Sequence, residues 1–111
     1  MKLDRNMNGD GRGKYALLLL RKLELYESPE TFGESEVEKA IKTLHEVGMI
    51  DWGIVGTESE FFVTRLKDQN APASLHAYAQ EAEANGDREW AEEVRSMARR
   101  AEVNPWKKRP D

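Results

Sequence analysis

The clearest periodic pattern of apolar residues lies in the stretch SEVEKAIKTLHEVG, residues 35–48. Apolar side chains recur there with helical spacing, at Val37, Ile41, Leu44 and Val47. Ser35 and Glu38 have the spacing of a capping box, and Gly48 supplies a left-handed stop. The pattern predicts a helix with one face buried in the core.

An earlier stretch, GKYALLLLRKLELYE, is rich in Ala, Leu, Lys, Arg and Glu, which are strong helix formers. Its leucines cover most of a helical circumference: Leu17, Leu18, Leu19, Leu20 and Leu23. A helix that is apolar nearly all round must contact neighbours on several sides. We therefore predict a central helix near residues 14–26.

The apolar period changes between residues 49 and 66, where glycines separate segments rich in β-branched and aromatic residues. This composition predicts two strands, about 49–55 and 60–66, that pair as a hairpin. The alternating stretch MKLDRN at residues 1–6 is a candidate third strand at the edge of this hairpin. Trp52, Phe61 and Val63 are expected to pack on the helices.

Two further helices are predicted near the C-terminal end, in NAPASLHAYAQEAEANG and DREWAEEVRSMARRAEV. Asn70 is the expected cap of the first, and the second has an apolar stripe at Trp90, Val94, Met97 and Ala101. The short link NGD predicts that the two helices form an antiparallel αα-hairpin. Trp106 is expected to hold the basic tail against the domain.

These elements predict an α+β fold with about four helices and a small antiparallel β-hairpin or three-stranded sheet. A single domain over residues 1–111 would contain a strand–helix–helix–hairpin part (1–67), a helical hairpin (68–104) and a basic tail (105–111). The element order of the first part is that of a winged helix. However, the helix that would enter DNA has a net charge of −1, and phosphate neutralisation dominates DNA affinity.

Charge is unevenly distributed within the total of −4. Residues 1–22 and 95–111 each carry a net charge of +4, whereas residues 23–64 carry −8 and residues 65–94 carry −4. One interpretation is an ordinary mixed surface exposed to solvent. The alternative is that the termini form a basic patch while the acidic middle faces a partner.

The loop DRNMNGDGRGKY, residues 4–15, superficially matches several binding motifs. A calcium loop that starts at Asp4 requires a carboxylate at its twelfth position, where Tyr15 stands. The glycine spacing also departs from the phosphate loop and from the dinucleotide fingerprint. Two alternatives stay open: a flexible turn before a helix, and a weak anion site with Arg12 and Lys14 at a helix N-terminus.

No catalytic or metal-binding pattern is present in the sequence. The chain has no cysteine, and its two histidines, His45 and His76, lack the spacing of metal ligands. The apolar run ALLLL is far shorter than a membrane span. We therefore expect a non-enzymatic protein without a cofactor or metal, and no membrane partner.

Three stretches, KLDRN…GRGKYALLLLRKL, GMIDWG…EFFVTRLKD and the terminal KRPD, resemble a group of small uncharacterised proteins encoded by tailed phages and prophages. The resemblance implies a setting in the cytoplasm of a bacterial host. Small phage proteins of this kind often bind a host or phage protein, and some inhibit defence systems, as anti-CRISPR proteins do. No site residue is carried over from the group.

The leading hypothesis is therefore a phage-type accessory protein that binds another protein through an acidic face. That face is predicted to include Glu34, Glu36, Glu58 and Glu60. The alternative is a winged-helix-like nucleic-acid binder that uses its basic termini. Its predicted contacts are Arg12, Lys14, Lys107, Lys108 and Arg109.

Overall fold

A computed structural model describes residues 5–6, 8–23, 28–33 and 35–106. Within these residues the secondary structure is helical, and no strand is present. The α-helices are α1 (Glu36–Glu46), α2 (Ala71–Ala84) and α3 (Arg88–Glu102), and two short 3-10 turns lie at Leu20–Lys22 and Pro29–Thr31. The predicted α+β class is therefore wrong for the described part of the chain.

The chain divides into two compact units. Residues 1–16 and 63–111 make up the first, which we call the terminal unit. Residues 17–62 make up the second, which we call the middle unit. The organisation as one domain stays a prediction.

The terminal unit is built on an antiparallel pair of helices, as predicted. Its core consists almost entirely of alanine: Ala71 and Ala79 of α2, and Ala91, Val94, Ala98 and Ala101 of α3. Each of these side chains is at most 2% exposed. Side chains this small let two helix backbones approach closely, so the αα-hairpin is tightly packed although few large apolar groups contribute.

Local hydrogen bonds close the helix ends on both sides of the short link between α2 and α3. Gly86 has a φ of +91°, and its N–H donates to the carbonyl of Glu83 at 2.9 Å. The Asp87 N–H donates to the carbonyl of Ala82 at 3.0 Å, and its carboxylate accepts the Trp90 N–H at 3.1 Å. Asp87 therefore completes the last turn of α2 and also caps α3.

Charged groups join the two helices at their exposed edges. The Arg95 guanidinium is 2.9 Å from Glu83 of α2 and 2.6 Å from Glu92 of its own helix. His76 of α2 pairs with Glu102 near the end of α3. Since residue 76 pairs with residue 102 and residue 83 with residue 95, the helices run antiparallel. Bonding to Arg95 holds the pKa of the Glu83 carboxyl below its usual value.

Helix α1 of the middle unit begins and ends where the sequence predicts. The Ser35 hydroxyl accepts the Glu38 N–H at 3.1 Å and donates to the Glu38 carboxylate at 3.0 Å. At the other end, Gly48 (φ +76°) and Met49 donate to the carbonyls of the last turn at 3.0 and 2.9 Å. These bonds satisfy main-chain groups that every helix end leaves without partners.

The predicted burial of the α1 stripe is wrong for most of its members. Ile41 is 4% exposed, but Val37, Leu44 and Val47 are 59%, 37% and 63% exposed. The physical reason is that α1 packs against the small 3-10 turn Pro29–Thr31, which covers only part of one face. Phe32, at the end of that turn, is 6% exposed and is the other buried apolar residue among those described in the middle unit.

The predicted helix at 14–26 is not observed in its described part. Residues 14–19 are irregular, a single 3-10 turn covers Leu20–Lys22, and residues 24–27 lie outside the described residues. Leu17, Leu18 and Leu19 are 53%, 47% and 36% exposed. Helices of this length depend on packing more than on propensity, and here the leucines lack an enclosing surface.

The predicted strands at 49–55 and 60–66 are also absent, so the β-hairpin and the winged-helix order are wrong. Local bonds take the place of a ladder. The N–H groups of Gly53 and Gly56 donate to the side chains of Asp51 and Glu60, at 3.0 and 2.9 Å. Thr57 and Glu60 close two successive turns, each with a main-chain bond of 3.1 Å. Residues 1–4 of the proposed third strand lie outside the described residues.

Candidate functional site

A chain of polar side chains crosses the middle unit from the 3-10 turn to the segment after α1. His45 Nε2 lies 3.1 Å from Glu30 Oε1, and the Trp52 indole N–H donates to His45 Nδ1 at 2.9 Å. The two rings meet edge to face, with centroids 5.8 Å apart. The sequence analysis missed this arrangement, because its members lie on three separate elements. The one available signal was that His45 adjoins the apolar stripe.

The hydrogen bonds define what this histidine can do. Since Nδ1 accepts the Trp52 N–H, the ring proton of neutral His45 belongs on Nε2, which then donates to Glu30. The Ser28 hydroxyl donates to the other Glu30 oxygen and not to the histidine. Both ring nitrogens are thus engaged and no nucleophile faces them, so the arrangement fastens three segments together and does not resemble a catalytic triad.

Glu30 is the acidic member of this polar chain. The Ser28 hydroxyl is the largest cause that lowers the pKa of the Glu30 carboxyl, and the bond to His45 lowers it further. Glu30 is therefore ionised at neutral pH, as an acceptor for two donors must be. Its role is to fix the 3-10 turn on which α1 packs.

Beyond Trp52, the chain follows a series of turns held by Gly53. This glycine has a φ of +56°, and a Cβ at its position would overlap the Phe61 ring. The Phe61 ring therefore lies against the main chain at Gly53. In a β-hairpin, two side chains would face each other at this point. Phe61 is nevertheless 54% exposed, and the adjoining Phe62 is 89% exposed.

The middle unit exposes more large apolar side chains than it buries. We call the following side chains the exposed apolar set: Val37, Leu44, Val47, Met49, Ile54, Val55, Phe61 and Phe62. Its most accessible members are Phe62 at 89%, Val55 at 83% and Met49 at 74%. Among the described residues of the middle unit only Phe32 and Ile41 are buried apolar side chains, so most of its large apolar side chains are in contact with solvent.

Acidic residues surround this set in the sequence. Residues 17–62 contain ten acidic and four basic side chains, a net charge of −6. Of the predicted acidic face, Glu36 lies exposed in the first turn of α1, 3.6 Å from Lys39. Glu58 and Glu60 lie exposed in the turn segment, where Glu60 also binds the Gly56 N–H, and Glu34 lies outside the described residues.

The predicted basic contacts belong to the terminal unit. Arg12 is exposed and 3.8 Å from the Asp10 carboxylate, while the Lys14 ammonium lies over the Tyr15 ring at 5.5 Å. The loop is a turn, in which the Asn6 side chain accepts the Gly11 N–H at 2.6 Å. No helix N-terminus follows it, which removes the basis of the predicted anion site. Lys107, Lys108 and Arg109 lie outside the described residues.

The described residues contain no group of histidines and carboxylates that could hold a metal ion. Their helices are too short or too polar to cross a membrane. No protein-family model, curated protein or solved structure matches the chain.

Proposed function

We propose that this chain is a phage-type accessory protein that acts by binding another protein through its middle unit. The observation that carries the proposal is the exposed apolar set. Large apolar and aromatic side chains stand in water there, although the same unit buries only Phe32 and Ile41 among the described residues. Covering such side chains gains about 25 cal/mol for each Å² of apolar surface removed from water.

The composition of the set fits the centre of a protein interface. Such centres are enriched in aromatic residues and methionine and depleted in charge. Phe61, Phe62 and Met49 supply these residue types on one continuous segment of the chain. The Gly53–Phe61 contact and the Glu30–His45–Trp52 chain hold that segment in place before a partner arrives, which lowers the entropic cost of binding.

Charge adds selectivity for the partner. The net charge of −6 on the middle unit favours a partner whose surface is basic and repels acidic ones. Glu36, Glu58 and Glu60 are exposed acidic groups of this unit and remain candidates for the rim. A basic surface is also what nucleic-acid-processing proteins present, which is consistent with an inhibitor of a defence system.

The biological setting rests on the resemblance to phage and prophage proteins. On that basis the protein acts without catalysis in the cytoplasm of a bacterial host, and its partner is a host or phage protein. Inhibition of a defence system, as by an anti-CRISPR, is the specific activity to assay. The winged-helix version of the nucleic-acid alternative is dropped, because neither the first helix nor the wing is present in the described residues.

The test is affinity capture from bacterial lysate, with and without nuclease, followed by mass spectrometry and titration of the purified partner. We expect a stoichiometric protein that survives nuclease treatment. The double variant Phe62→Ala/Val55→Ala should weaken its binding by tenfold or more, because it removes two of the most exposed apolar side chains.

Tyr15→Ala/Val103→Ala is the matched control, since it removes an aromatic and a valine that are 85% and 79% exposed in the terminal unit. It should bind like the unmodified protein. Capture that disappears with nuclease, or equal binding by both double variants, would show that the exposed apolar set is not the interface.

A further inference from the structure

The terminal unit contains a pocket that the protein-binding function does not use. It has a volume of about 390 Å³ and lies where the chain leaves α3. The lining residues come from two segments: Arg65, Leu66, Lys67, Asn104 and Trp106. Its volume falls within the range of small-ligand pockets, which is roughly 300–1,000 Å³.

Two cations of this pocket differ from Arg12, Lys39 and Arg95, each of which has a carboxylate nearby. Arg65 and Lys67 make no side-chain hydrogen bond or ion pair with any described residue. They are separated only by Leu66 in the chain, so the described lining of the pocket contains two positive charges and no acidic side chain.

The pocket also presents an aromatic surface. Trp106 is 72% exposed, so it does not hold the tail against the domain as predicted. Its main-chain N–H donates to Asn104 Oδ1 at 2.8 Å, which fixes the turn that carries the ring. In the sequence, three basic residues follow Trp106 directly: Lys107, Lys108 and Arg109.

We propose that this pocket binds a nucleobase and its phosphate, supplied by single-stranded nucleic acid. The Trp106 ring stacks on an unpaired base, and the Arg65 and Lys67 side chains neutralise the adjoining phosphate. An exposed aromatic ring beside cations is the chemistry by which proteins bind single strands without reading sequence. A duplex is disfavoured, because its bases are stacked on one another and cannot reach the ring.

The charge of the two units agrees with this assignment. Residues 1–16 and 63–111 carry a net charge of +2, against −6 for residues 17–62. The nucleic-acid strand therefore binds to the terminal unit, whose positive charge attracts phosphate. The proposed protein partner binds to the middle unit. The inference is independent of the proposed function, since no residue is shared between the two surfaces.

The experiment is fluorescence anisotropy of a labelled fifteen-nucleotide oligothymidylate with the full chain, between 50 and 200 mM salt. Trp106→Ala should weaken binding about tenfold or more, because stacking on one base is lost, and Trp106→Phe should restore part of the loss. Arg65→Gln/Lys67→Gln should flatten the plot of log affinity against log salt by about 0.7, since the two side chains neutralise one phosphate and each neutralised phosphate of a single strand contributes about 0.7.

Arg21→Gln/Lys22→Gln is the matched control: it makes the same change in net charge at exposed residues of the middle unit. It should retain the affinity and the salt slope. Competition by thymidine monophosphate and by a duplex of equal length shows whether the ligand is a free nucleotide, a duplex or a single strand. If the monophosphate competes as well as the oligomer on a molar basis, the pocket is a nucleotide site.

Two results would overturn the inference: no binding at 50 mM salt, or the same affinity for Trp106→Ala as for the unmodified chain. The second result would place any binding on the basic residues alone. Phe62→Ala/Val55→Ala should bind the oligomer normally, so failure of this site and failure of the proposed protein interface are separately observable.

Discussion

The two units of this chain bury their apolar residues in opposite ways. In the terminal unit, the facing sides of α2 and α3 are lined by alanines that are fully covered, and the large side chain Trp90 is half-buried beside Tyr78. Among the described residues of the middle unit, one phenylalanine and one isoleucine are buried, while the exposed apolar set is much larger. Close approach of the helix backbones stabilises the terminal unit. The middle unit depends on the buried side chains of Phe32 and Ile41 and on the hydrogen bonds that join Glu30, His45 and Trp52.

The difference shows that burial of a few residues can order a segment without hiding its apolar surface. Glu30, His45 and Trp52 hold three segments by directional bonds, which need little area. The exposed apolar set is therefore not required to hold these three segments together. Among the described residues, the terminal unit exposes fewer large apolar side chains, among them Tyr78 at 56% and Val103 at 79%.

The largest expected effect comes from Phe32→Ala in the middle unit. Truncation of a buried phenylalanine leaves a cavity and should lower the free energy of unfolding by about 3 kcal/mol. Because that unit has one other buried apolar residue among those described, Trp52 fluorescence should report the loss before the helical circular dichroism does. Urea titration followed by both signals measures this.

Phe62→Ala is the control for Phe32→Ala, since the same atoms are removed from a side chain that is 89% exposed. Its unfolding free energy should change by less than about 0.5 kcal/mol. Equal effects of the two substitutions would mean that burial of Phe32 does not order the middle unit.

A smaller effect is expected from Ala98→Leu in the terminal unit. Ala98 is fully buried between closely packed helices, so three added carbons must force the helices apart. We expect a loss of about 2 kcal/mol, measured by thermal unfolding of the helical signal. Ala77→Leu, at an exposed position of α2, adds the same carbons and should leave stability nearly unchanged. A stable Ala98→Leu protein would contradict close packing.

The smallest expected effect concerns the Glu83–Arg95 pair. Arg95 lowers the pKa of Glu83 in the folded state, so the pair stabilises the protein above the unfolded pKa of Glu83. That contribution is lost as the pH falls through the lower, folded pKa. Urea unfolding between pH 6 and pH 3 should therefore show a weaker acid dependence in Arg95→Gln. Arg99→Gln, an exposed cation of the same helix, should keep the original dependence.

Local signals in the sequence predicted the helices whose ends are closed by hydrogen bonds to nearby residues. Ser35, Gly48 and Gly86 mark helix ends through bonds to neighbours a few positions away, which a single sequence contains. The helix at 14–26 was predicted from propensity and from its run of leucines, and neither provides the packing surface that a helix needs. In the predicted first strand, Asp51 binds the Gly53 N–H, a main-chain donor that a ladder would require.

The candidate surfaces were predictable only in part. The acidic charge of the middle was evident from composition, but exposure of the apolar stripe depends on how little covers α1. The Glu30–His45 bond joins residues that no periodic pattern relates. The pocket at Trp106 likewise requires two distant segments to meet, and the sequence offered only an aromatic residue beside basic ones.

The double role of Asp87 has a consequence for the rate of folding. Starting a helix is slow and unfavourable because its first turn fixes several residues for one hydrogen bond. Here the residue that finishes α2 already stands in position to cap α3. The second helix therefore starts where the first one stops, and contacts between them close loops of few residues. We expect this hairpin to be the folding nucleus of the chain.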